Sequence, residues 1–99
     1  MIFLFTMTYP GTSAADFGKA VIKNFQEHPW PDFARLTGAY AAICEDRMKA
    51  YAILEIEKGK EDETFKVADK RLANYISIPG FRYKEERLIT MEEDLDFQV

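Results

Sequence analysis

The side chains able to do chemistry are few and widely spaced. His28 is the one histidine in 99 residues, and imidazole is the side chain that titrates nearest neutrality, which makes it the candidate for moving a proton. Its place at the end of an amphipathic run, just before Pro29, equally suits a cation that favours a helix C-terminus. Tyr40, Tyr51 and Tyr83 carry hydroxyls able to orient a ligand, and they serve as well as interface aromatics with satisfied hydroxyls. Glu55, Glu85 and Arg87 fall on a strand face expected to be enclosed, where a charge must be paired or wet. Arg87 is a candidate to hold a substrate, and an ion pair across an interface is the plainer reading. Trp30 and Phe33 suit either a cavity lid or an apolar plug. Nothing activates the single cysteine, Cys44, so it reads as a buried, inert thiol. The candidate set is therefore His28 for proton transfer and Trp30, Tyr40, Tyr51, Tyr83 and Arg87 for ligand contact. One His and one Cys cannot assemble a His/Cys zinc site within one chain, and no metal or other cofactor is expected.

The element that must position these groups is the stretch Gly38 to Lys58, two short apolar strands folded back over Glu45 to Met48. A turn centred on Asp46 and Arg47 places Ala39, Ala41 and Ile43 on one face with Ala50, Ala52 and Leu54, because strand side chains alternate with period two. The other face carries Tyr40, Ala42 and Cys44 beside Lys49, Tyr51, Ile53 and Glu55. The first face is small and aliphatic and suits a helix. The second is aromatic and partly polar and suits a partner sheet or a pocket.

Around this hairpin, Met1 to Tyr9 reads as a strand ended by Pro10 and Gly11, apolar at both parities and so covered on both faces. Thr12 or Ser13 can cap a helix in which Phe17, Ala20, Val21 and Phe25 recur at helical spacing. His28 to Phe33 is an aromatic loop bracketed by two prolines. Lys60 to Ile78 reads as a second helix stopped by Pro79 and Gly80, with Phe65, Ala68, Leu72, Tyr75 and Ile76 on one stripe and Lys66, Asp69, Lys70 and Arg71 on wetter positions, and Phe81 to Met91 as a charged edge strand. The tail Glu92 to Val99, where Leu95, Phe97 and Val99 alternate with polar residues, reads as a docking arm. The order βαββαβ is that of a ferredoxin-like α+β sandwich forming one domain over residues 1–99. Right-handed crossovers put both helices on the aliphatic face. Tyr40, Tyr51, Ile53 and Tyr83 are then left open, and pairing of two sheets into a homodimer is the simplest cover.

Composition agrees with a globular chain: 47% hydrophobic, 30% charged and 14% aromatic. A net charge of −4 disfavours a general binder of nucleic-acid backbones. The opening MIFLFTMTYPG lacks a basic start and a long apolar run, so neither a signal peptide nor a membrane span is expected, and a cytoplasmic location follows.

In MIFLFTMTY, the GAYAAICEDRMKAYAILEIE hairpin and the PGFRYKEERLI ending, the chain resembles the small dimeric α/β-barrel proteins, above all their short bacterial members without an assigned role. The resemblance implies two protomers pressing their sheets together around a cavity. It also implies a small organic ligand, with cofactor-independent isomerase or monooxygenase chemistry on an aromatic or polyketide-like compound as the enzymatic form. The haem-degrading branch resembles a pattern with a histidine on the second helix, which Lys60 to Ile78 lacks, although Asn24 and Trp30 are similar to other positions of that branch. Haem is disfavoured. The competing expectation is a structural or regulatory dimer whose cavity is filled by side chains. A pocket of about 300 Å³ or more separates the two.

Overall fold

The structure, a computed structural model, describes residues 1–92. Its sheet is centred on β1 (Ile2–Pro10), whose neighbours are β3 (Arg47–Ile56) on one side and β4 (Arg82–Leu88) on the other, with β2 (Ala34–Cys44) outermost beyond β3. All three pairings are antiparallel. A short 3-10 turn (Gly11–Ser13) leads into α1 (Ala14–Glu27), and α2 (Glu61–Ala73) joins β3 to β4. This is the expected ferredoxin-like βαββαβ order. Among the described residues no helix is long and apolar enough to cross a membrane.

The hairpin turns at Glu45 and Asp46, one residue earlier than expected, with Cys44 opposite Arg47. Shifting the turn centre by a whole residue moves each pairing by two, so the faces survive: Ala39 still meets Ala52 and Ala41 meets Ala50. A bulge between Leu36 and Gly38 inverts the parity of β2, which puts Leu36 on the same face as Ala39, opposite Leu54.

The far edge differs from expectation. Met7 lies opposite both Ala50 and Tyr83, and Phe5 opposite both Ala52 and Glu85. Tyr83, Glu85 and Arg87 therefore share the face of the alanines, under the helices, and do not join Tyr40 and Tyr51 on the open one. The pairing of β4 with β1 spans most of the chain, so no local turn fixes its parity.

Helix boundaries also move. The Ser13 hydroxyl makes no cap bond to α1. It donates instead to the carbonyl of Pro79 at 3.0 Å, tying the start of the helix to the approach of β4. α2 ends at Ala73, and the remaining residues to Phe81 run through successive tight turns, with Tyr75 N–H bonded to Leu72 and Ile78 N–H to Tyr75. Gly80 ends that run at φ +77°, where a Cβ would also stand 2.6 Å from the Pro10 ring. Both facts require glycine. Arg47 reaches across to donate to the Gly80 carbonyl at 2.7 Å and so holds the turn in place.

The layer between helices and sheet holds two separate buried clusters. One gathers Tyr9, Phe17, Ala20, Tyr75 and Ile78. The other gathers Ala34, Leu54 and Ile56, with Phe3, Phe5, Trp30, Phe33 and Leu36 against them. Between them β2 and β3 offer only the methyl groups of Ala39, Ala41, Ala50 and Ala52. The large side chains at either end act as spacers, and small ones cannot close the gap between.

Candidate functional site

That gap is a cavity of about 350 Å³. Its floor is the alanine face of β2 and β3 with Phe5 and Met7 of β1. Phe17, Val21 and Phe25 of α1, Ala68 and Leu72 of α2, and Tyr75 just beyond α2 form the roof, and Trp30, Tyr83 and Glu85 close the sides. The aliphatic face does receive the helices, as its composition suggested. It does not pack tightly against them, and the space lies inside one protomer, beneath its helices, where a space between two sheets was expected.

An aromatic ladder makes one wall. Tyr9 stacks on Phe17 with centroids 4.1 Å apart, Phe17 on Tyr75 at 5.2 Å, Tyr75 on Phe81 at 5.4 Å and Phe81 on Tyr83 at 6.4 Å. Each offset pair adds roughly 0.5–1.5 kcal/mol beyond area burial. Burial raises the pKa of the Tyr9 phenol, so it stays neutral. Phe25 and Tyr83 are each about half exposed, and the cavity opens to solvent beside them.

Among the described residues the one cation in the wall is Arg71, only 8% exposed. Its Nη1 donates to the carbonyls of Asn24 at 3.2 Å and His28 at 2.6 Å at the end of α1, the first of which also accepts the His28 N–H. Its guanidinium lies 4.6 Å from the Trp30 ring and 5.2 Å from Phe25. Burial lowers its pKa from the usual arginine value, yet guanidinium remains charged in a protein. Asn24, fully buried, completes the clamp: its amide donates to the Arg71 carbonyl at 3.0 Å and its oxygen accepts from Asn74 at 2.7 Å. Glu85 is the acid of the wall. Its carboxyl is pushed up, first by burial and then by Asp69.

The residues singled out from sequence divide accordingly. Trp30 and Tyr83 line the cavity. Tyr40 and Tyr51 border it, but they pair with each other on the opposite sheet face, where Tyr40 is 64% exposed. Arg87 is not in the lining. It stands opposite Phe3 at the far end of β4, near Glu61, whose carboxyl is held low chiefly by its own backbone N–H and in smaller part by Arg87. His28 also stands outside the lining. Its imidazole faces Glu27 at 4.0 Å, and its backbone carbonyl, not its ring, serves the site. Cys44 is exposed at the end of an edge strand, contrary to the buried thiol expected. Glu55 pairs with Arg35 of the neighbouring strand at 3.0 Å within the protomer. Sequence reasoning passed over Arg71 as one of the wetter residues of α2. The signal was there: it is placed one turn before Tyr75, on the helix face whose stripe it flanks.

No family model matches this sequence, and no curated protein matches it. Among solved structures it is similar to a formyltetrahydrofolate deformylase from Pseudomonas putida KT2440, with a TM-score of 0.58 and 8% identity over 89% of this chain and 29% of that one. It is also similar to the C-terminal domain of the MgtC protein from Mycobacterium tuberculosis, with a TM-score of 0.50 and 5% identity over 91% and 92% of the two chains. The chain thus spans under a third of the deformylase's length. At such identities the likeness shows architecture alone: this is a small α+β protein with two helices on a four-stranded antiparallel sheet.

Proposed function

We propose that the protein binds a small, largely apolar organic molecule in the cavity under its helices. The observation that carries this reading is the cavity itself. About 350 Å³ of open, mainly apolar space between two filled clusters exceeds the ~300 Å³ at which ligand pockets begin. Native cores keep few voids larger than a water molecule. A module serving only as a dimerisation unit has no use for such a space. With His28 outside the lining, proton transfer by imidazole loses its support, and the reading is one of binding; isomerase or oxygenase turnover is not needed to explain the geometry.

The second part of the proposal is a homodimer of the dimeric α/β-barrel type. What favours it is the outer sheet face, where Ile2, Leu4, Tyr51 and Ile53 align across β1 and β3 and Tyr40 and Leu88 flank them. Among the described residues neither α1 nor α2 covers these side chains, since both lie on the alanine face. The ends of that face carry both signs of charge, Arg35 with Glu55 and Lys84 with Glu86, which suits a self-complementary contact. The inner cavity then holds the ligand and the outer face holds the partner.

Native mass spectrometry of protein purified from its host tests both parts at once. The expected spectrum shows a dimer carrying a small molecule, and the Ala52→Phe variant, which places a ring in the cavity, is expected to lose that molecule. A host-purified protein that is empty and takes up no apolar compound overturns the binding reading; a monomer at micromolar concentration overturns the dimer.

A further inference from the structure

We infer that the ligand is a monocarboxylate: an anionic head held side-on by Arg71, with an apolar body lying over the alanine floor. The inference rests on the cavity being a ligand site. It adds what that ligand must carry.

The argument starts from the hydrogen bonds of one guanidinium. Of its five N–H groups, only those of Nη1 find protein acceptors, at Asn24 and His28. Nε–H and both Nη2–H groups have no acceptor among the described residues, and no carboxylate there stands at ion-pair distance. Among the described residues no fully buried polar side-chain atom lacks a partner, so these donors touch open space. Arg71 lines the cavity. A side chain more than nine-tenths buried thus carries a whole positive charge to the wall of an apolar space, with its charge balanced only by carbonyl dipoles and ring faces.

Holding α1 to α2 does not explain that arrangement. The clamp uses Nη1 alone, and a lysine ammonium also donates to two carbonyls. What arginine adds is the remaining edge, where Nε–H and one Nη2–H run parallel at the spacing of the two oxygens of a carboxylate. A buried charge left unpaired destabilises the fold, a penalty that an anionic guest removes. The Asn24 and His28 carbonyls and the Trp30 ring fix the guanidinium against reorientation, so the edge is in place before the ligand arrives. For size, about 350 Å³ at the ~30 Å³ of one liquid water holds roughly a dozen non-hydrogen atoms. A ten-carbon fatty acid or a phenylalkanoic acid has that volume.

The chain supplies its own reporter, because Trp30 is the only tryptophan and its ring is stacked on the guanidinium. Full-length protein is titrated with decanoate, 1-decanol and decylamine while Trp30 emission is followed. Decanoate is expected to bind at least tenfold more tightly than decanol, and decylamine weakest of the three. Equal affinity for decanoate and decanol overturns the carboxylate inference and leaves the cavity reading standing. Failure of all three to bind overturns the cavity reading itself. In Arg71→Gln the preference for decanoate is expected to vanish while decanol affinity stays within threefold; a folded Gln variant that keeps the preference contradicts the assignment. Should that variant fail to fold, Arg71→Lys, which keeps the charge and removes the parallel edge, is expected to lose at least threefold of the preference, and full retention is contradictory.

Discussion

The two faces of the sheet are made from the same four strands, yet they do different things. The covered face is lined at its centre by Ala39, Ala41, Ala50 and Ala52 and supports a void. The open face carries Tyr40, Tyr51 and Ile53 and supports neither helix. From residue type alone the aromatic, partly polar face looks like the pocket and the aliphatic face looks like the seat of two helices. Size reverses the assignment. The helices rest on large side chains at either end of the sheet, so the small residues between them define empty space. Pockets arise where bulk is missing from a surface that other bulk holds away.

Four comparisons at five positions sharpen the contrast, taken here from the largest expected effect to the smallest. Leu54, wholly buried in one of the spacer clusters, should lose about 3 kcal/mol of stability on change to Ala. Its neighbour Ile53, on the open face, should lose less than half as much; similar losses in urea unfolding would erase the difference between the faces. On the open face, Tyr51→Asp brings a charge into the proposed dimer seam. Its dissociation constant by sedimentation should rise at least a hundredfold, and an unchanged dimer removes the sheet-to-sheet contact. On the covered face, Ala52→Leu should raise stability by about 0.5–1 kcal/mol as it fills space, while ligand affinity falls. In a close-packed layer the same change costs roughly 1–3 kcal/mol, so the sign of the shift decides whether the gap exists.

Glu85→Gln is the smallest. Because the Glu85 carboxyl is raised, first by burial and then by Asp69, the folded protein holds this proton more tightly than the unfolded chain does. Its contribution to stability is therefore full below the ordinary carboxyl value and is lost as pH rises through the raised folded value. Urea midpoints of the variant should exceed those of the wild type at neutral pH, with the gap closing as pH falls toward 4. A gap that widens on acidification contradicts the direction.

Much of the architecture was legible because it is local. The hairpin from Gly38 to Lys58 carries its own parity, and even a turn displaced to Glu45 and Asp46 leaves Ala39 and Ala52 together. Pro79 and Gly80 announce the entry to β4, and Gly80 proves to be required there by both conformation and contact. What was not legible is non-local. Tyr83 changed face because the β1–β4 register is set across the whole chain, and β4 alternates charge and aromatic without a clear apolar side. His28 marks the end of α1 as expected, but only its carbonyl takes part in the site. Arg71 looked like a solvated charge, since its burial depends on the Asn24 and His28 carbonyls and on the rings of Phe25 and Trp30 standing beside it. The expected arm lies largely in residues 93–99, outside the described part of the chain.

The central claim is that the ligand occupies the space beneath the helices. Methyl NMR on alanine-labelled protein titrated with decanoate tests it directly, because the floor and the outer face both carry alanines. The account predicts that the methyl resonances of Ala39, Ala41, Ala50 and Ala52 shift on saturation while that of Ala42, which the register places on the open face, does not move. A titration that shifts Ala42 and leaves the four floor methyls unchanged would contradict it.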